Sequence, residues 1–159
     1  MATDQTPLQR DIRQTKPFRS TAHEAGVGLL KTADVHERRV AETLKPHGLT
    51  PTQYNVLRIL RGAGPDGLCT LAVGTRMLRQ TPGISRMMDR LDGKNWISRV
   101  RSADDRREVR CYLTRDGMRL VDSLDPVVDK VDAQAIGALS TAEQRRLIEL
   151  LDKVRAGYT

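Results

Sequence analysis

Aromatic side chains are scarce in this chain: one tryptophan, three tyrosines and one phenylalanine make up 3% of its 159 residues. The core must therefore come from Leu, Val, Ile, Met and Ala. The scarcity also argues against a surface that grips single-stranded nucleic acid, because such surfaces stack bases on rings. Cysteine is as rare. Cys69 and Cys111 are too few for a disulfide scaffold and suit a reducing compartment. No apolar run is long enough for a signal peptide or a membrane span, so a cytoplasmic location and no membrane partner are expected. No nucleophile is paired with a base, and there is no phosphate loop or general-acid carboxylate, so no enzymatic activity is expected. His23, His36 and His47 have no cysteine or carboxylate at metal-ligand spacing, so neither a metal site nor a cofactor is assigned.

What the chain does have is charge. Charged residues are 30% of the total and hydrophobic ones 38%, as in a soluble, helix-rich domain. The net charge is +7, which suits an anionic partner without specifying a fold. Its location is more informative. Residues 76–119 hold twelve arginines and lysines against six acidic residues, so nearly all of the excess lies mid-chain.

Residues 1–18 carry two prolines and no sustained period, and read as a flexible arm ahead of a single domain over 19–159. From about residue 20, Ala22, Ala25, Leu29, Ala33, His36, Val40 and Leu44 recur at helical spacing. In LTPTQYNVLRIL, Thr50 and Gln53 form a capping box around Pro51, and Leu49 and Tyr54 are placed as a staple. GAGPDG breaks the chain, and LCT suits a short strand. A third helix is expected from a Thr70 cap through Leu78. A fourth is expected from a Thr81 cap and Pro82, with Ile84, Met87, Met88 and Leu91 buried, ending where Asn95 can turn left-handed. WISRVR and REVRCYL alternate as two strands joined by SADDR. Thr114 caps a fifth helix, which Pro126 kinks or restarts, and Ser140 with Glu143 opens a sixth carrying Leu147, Leu150, Leu151 and Val154.

Two short helices followed by a basic hairpin make a winged helix-turn-helix, in a fold that is mainly α. A major groove admits one helix, whose first turn must offer small polar and long basic side chains to base edges. In QTPGISRMMDR the outward positions include Gln80, Thr81, Pro82, Gly83, Ser85, Arg86 and Arg90. Pro82 and Gly83 leave little bulk at the leading end, while Arg86 and Arg90 lie one turn apart on one face. At the hairpin tip, Arg106 or Arg107 would enter the narrow, strongly negative minor groove, oriented by Asp105. A solvated turn is the competing reading of the tip taken alone. Its place directly after a basic helix-turn-helix favours the groove.

TPGISRMMDRLDGKNWISR, DDRREVRCYLTRDG and LTPTQYNVLRIL together resemble the MarR family of multiple-antibiotic-resistance-type regulators. The resemblance covers nearly everything after residue 22. It implies a homodimer whose dimerisation helices, 19–48 and 115–159, interlock around winged lobes formed by 49–114. It implies a palindromic double-stranded operator, repression, and release by a small-molecule effector such as a phenolic or aromatic acid. By motif position Asp105 and Arg107 take the wing's D-x-R places. Two departures are Asn95, where the family usually has glycine, and Gly83, where a larger residue is common. His36, on the apolar face of its helix, suits either core packing or an effector contact. Cys69 and Cys111 fall on strands expected to pair, which keeps open a redox-responsive regulator. A low-specificity architectural DNA-binding protein is the other alternative.

Overall fold

Thr50 and Gln53 form the reciprocal capping box expected of them. The Gln53 amide donates to Thr50 Oγ1 at 3.2 Å, the Thr50 amide donates to Gln53 Oε1 at 3.0 Å, and α3 (Pro51–Ala63) starts there. The computed structural model describes residues 5–101 and 108–158, and the chain divides into two units, residues 1–39 and 40–159.

In the first unit, Thr6 and Gln9 cap α1 (Pro7–Asp11), a short helix within the segment that shows no periodicity. Gln9 is buried and its amide nitrogen donates to the Lys16 carbonyl at 3.0 Å, so side-chain bonds hold this turn without an apolar stripe. α1 lies against the start of α2 (Thr21–Leu44): a side chain at Gly28 would meet Leu8 at 3.5 Å.

In the second unit, α3 contributes Tyr54, Val56, Leu57 and Leu60 to one core. Around it pack Leu44 from the end of α2 and Val73 of α4 (Thr70–Arg76), with Met88 and Leu91 of α5 (Ile84–Gly93). Val121, Leu124 and Val128 of α6 (Arg115–Ile136) complete the helical part. Leu57 is fully buried, and truncating such a leucine to alanine costs about 2–5 kcal/mol. β1 (Leu68–Cys69), β2 (Ile97–Arg101) and β3 (Val109–Leu113) form an antiparallel sheet in the order β1-β3-β2. Thr114 caps α6 as expected, and Ser140 with Glu143 caps α7 (Thr141–Ala156) by a second box. Pro126 neither ends nor restarts α6, which runs through it as one helix.

Two expected caps are displaced. Thr70 is the first residue of α4 rather than its cap, and its hydroxyl lies 3.8 Å from Cys111 Sγ. α4 ends at Arg76, short of Leu78. The Thr81 hydroxyl donates back to the Arg79 carbonyl at 3.3 Å, and α5 begins at Ile84, after Pro82. The reason is Gly83, whose φ of +79° is left-handed and cannot lie within a right-handed helix. Asn95 (φ +58°) terminates α5 in the expected left-handed conformation.

Candidate nucleic-acid interface

α5 separates two chemistries. Met87, Met88 and Leu91 are buried, whereas Ser85, Arg86, Asp89 and Arg90 are exposed. Arg86 and Arg90 stand at i and i+4, and neither pairs with a carboxylate among the described residues. Gln80, Pro82 and Gly83 are exposed just before the helix, and Thr81 is half-buried. The segment leading into α5 and its first turn therefore present the small polar and basic groups that suit a groove edge.

The wing begins at the other end of α5. β2 and β3 pair from Ile97↔Leu113 to Arg101↔Val109. Asp105, Arg106 and Arg107 lie outside the described residues. At the base of the hairpin, Arg110 donates to the Asp66 carbonyl at 3.0 Å and to Glu108 at 3.0 Å, joining β3 to the turn before β1.

Arg99 is a residue that the sequence reading passed over. It shares the inward face of β2 with Ile97 and lies opposite Cys111. From there its guanidinium donates to Asp89 on the outer side of α5, and its Nε is buried without a partner among the described residues. The bridge ties wing to helix and offsets Asp89, one of two exposed acidic groups on the helix that carries the arginines. Strict alternation in WISRVR was the available signal, since a charge on an inward strand position needs a partner.

The junction between β2 and α6 is equally tight. The Thr114 hydroxyl donates to the Asn95 carbonyl at 2.7 Å, and Asn95 Nδ2 donates to Asp116 at 3.0 Å. A Cβ at Gly117 would fall 2.0 Å from the Trp96 carbonyl oxygen, so only glycine permits this approach. Lys94 crosses the same corner, donating to the Gly48 carbonyl at 2.9 Å with its ammonium 4.5 Å from the Trp96 ring centroid.

His36 is half-buried on α2, and His23 packs edge-on to Phe18 at 5.5 Å. No group of three or more metal-ligating side chains occurs among the described residues, and none of their helices is long and apolar enough to cross a membrane. The cysteines do lie on paired strands, but Cys69 is opposite Arg110 and Cys111 opposite Leu68. Cross-strand partners share a face, so the two thiols point to opposite sides of the sheet, a geometry a disulfide cannot bridge without re-pairing the strands.

The sequence pattern of the MarR family matches residues 49–109, from just before α3 to the first residue of β3. An uncharacterized HTH-type transcriptional regulator of Bacillus subtilis (strain 168), YkoM, is 33% identical over 109 residues, covering 69% of this chain and 70% of that protein. Among solved structures, a MarR transcription factor from Planctomyces limnophilus is 33% identical, with a TM-score of 0.68 over 86% of this chain and 98% of its own. BpsR of Bordetella bronchiseptica, whose DNA binding is regulated by 6-hydroxynicotinic acid, is 25% identical with a TM-score of 0.75, over 83% of this chain and 98% of its own.

Proposed function

Because this chain belongs to the MarR family of transcriptional regulators, we propose that it acts as a homodimer that reads a palindromic duplex operator and represses until a small molecule releases it. The observation that carries the proposal is the face of α5 formed by Ser85, Arg86 and Arg90, bordered by Gln80, Thr81, Pro82 and Gly83. In this reading Arg86 and Arg90 meet guanine edges or phosphates in the major groove. Asp105 orients Arg106 or Arg107 in the adjacent minor groove.

Support for the dimer comes from the terminal helices. No residue of α7 is buried, and Leu147, Ile148, Leu150 and Val154 are exposed along it, as are Met118, Val127 and Ile136 on α6. So much apolar surface outside the core suits burial against a second copy. A dimer that holds its two α5 helices about 34–36 Å apart would enter successive major grooves on one face of B-DNA. The effector fits the same scheme. A ligand that favours another spacing lowers operator affinity, and DNA lowers ligand affinity by the same factor. BpsR responds to an aromatic acid, which supports that chemical class here, with His36 as the contact on α2. A duplex DNA target suits a cytoplasmic location.

Selection of sites from a random duplex library, at fixed near-physiological salt, tests the proposal. The expected result is a palindrome with half-sites one helical turn apart. Measurable binding without an enriched motif would instead identify a low-specificity architectural protein.

A further inference from the structure

Three side chains of α3 and two of α6 meet in a polar cluster that DNA contact does not require. Tyr54, Arg58 and Arg61 lie along one face of α3, and Asp122 and Asp125 lie one turn apart on α6. The Tyr54 hydroxyl donates to Asp125 Oδ1. Arg61 donates to Asp125 Oδ2 at 2.5 Å and, through its other terminal nitrogen, to Asp122 at 3.1 Å. Arg58 Nε stands 3.9 Å from Asp125 Oδ1, with its guanidinium 5.9 Å from the Tyr54 ring centroid. Tyr54 is buried, and the Asp125 and Arg61 side chains are 23% and 26% exposed.

Adhesion alone does not account for these groups. Apolar side chains of similar volume hold two helices together at least as well, because charges taken out of water lose their hydration. What the cluster adds is a charge-assisted anchor, since the Tyr54 hydroxyl holds one Asp125 oxygen and the Arg61 guanidinium the other. Burial pushes the Asp125 carboxyl up, yet the bonds from Tyr54 and Arg61 outweigh it and hold the group below its ordinary value. Burial and the same bond push the Tyr54 phenol up.

The neighbouring residue on α3 faces elsewhere. Asn55 Oδ1 accepts the Leu78 backbone amide at 3.0 Å, in the segment between α4 and α5. Residues 54 and 55 thus join α6 to the approach of the DNA-facing helix through one turn of a rigid element.

We propose that Asp125 is a positioning residue for DNA recognition: gripped by Tyr54 and Arg61, it sets the angle at which the winged lobe leaves α6, and so the half-site spacing the dimer accepts. The inference rests on the dimeric reading above.

The test uses the full chain and a duplex series in which the selected half-sites keep their sequence while their separation changes by one or two base pairs. Wild type prefers one spacing. Asp125→Asn is expected to lose roughly threefold to thirtyfold affinity there, the range for residues that couple sites, and much less on the shifted duplexes, so the preference narrows. Tyr54→Phe removes only the hydroxyl and shows a smaller change in the same direction. It decides the matter if thermal melting shows that Asp125→Asn does not fold. Equal losses at every spacing, or none, would mean that the cluster only stabilises the fold and would overturn the proposal. Wild type with no preferred spacing would overturn the dimeric reading first, and this inference with it.

Discussion

α5 and α7 both present faces that the other described residues leave uncovered, and the two faces differ in chemistry. The uncovered side chains of α5 are polar or charged, with Ser85, Arg86, Asp89 and Arg90 among them, whereas those of α7 include large apolar ones, Leu147, Ile148, Leu150 and Val154, between charged neighbours. Exposed guanidinium groups are well solvated, so such a face is stable in water and binds only when an anion displaces that water. Exposed leucine costs about 25 cal/mol for each Å² left wet, so such a face favours being covered. In the proposed dimer, that contrast would separate a reversible contact with DNA from a permanent one between copies of the chain.

Breaking the proposed dimer contact has the largest expected effect. If α7 forms the proposed dimer seam, Leu150→Glu places an unpaired carboxylate there on both sides, at about 3–5 kcal/mol for an uncompensated buried charge. Sedimentation should show monomers, and operator binding should disappear. A variant that stays dimeric would move the seam away from this face. Arg86→Ala comes next. It should lower operator affinity by about 1–3 kcal/mol and relax sequence preference at one position. Equal losses on operator and scrambled duplex, measured by titration at one salt concentration, would reduce Arg86 to a phosphate contact. Arg107→Ala should weaken binding less, with the loss concentrated on operators whose flanks narrow the minor groove. Titration against wide-groove flanks would reveal a loss independent of flank, and that would end the idea of groove insertion.

The smallest expected effect concerns the seam that joins α3 to α6. The folded Asp125 carboxyl lies below its ordinary value of 3.8. Its contribution is therefore complete above roughly pH 5 and is lost as the pH falls through the folded value. The difference in melting temperature between wild type and Asp125→Asn should narrow on acidification from pH 7 to pH 3. A constant difference would show that protonation of Asp125 plays no part.

What was legible in the sequence was local. Thr50 with Gln53, Ser140 with Glu143, and Thr114 each cap the helix assigned to them, because a cap involves only side chains and amides three residues apart. Asn95 showed its left-handed turn for the same reason. Thr70 and Thr81 satisfied the same local rule and still failed, one because α4 already begins at Thr70 with Cys69 in the cap position, the other because Gly83 delays the helix. α1 escaped notice because the bond from Gln9 to Lys16 holds it rather than an apolar stripe. The Tyr54–Asp125 bond joins residues 71 positions apart, and no periodicity in either helix announces a partner at that distance. The exposed arginines of α5 followed from spacing alone, whereas the bridge from Arg99 to Asp89 required the turn of the chain to bring strand onto helix.

The opposed thiols of the sheet make the unmodified chain its own reporter. Cys69 is half-exposed on one side and Cys111 buried on the other. A thiol reagent added to native protein reaches the first directly, and the second only when the pairing of β1 with β3 comes apart. The rate of the second modification counts those openings. Comparing that rate with and without DNA would show how much of the lobe's motion the operator removes.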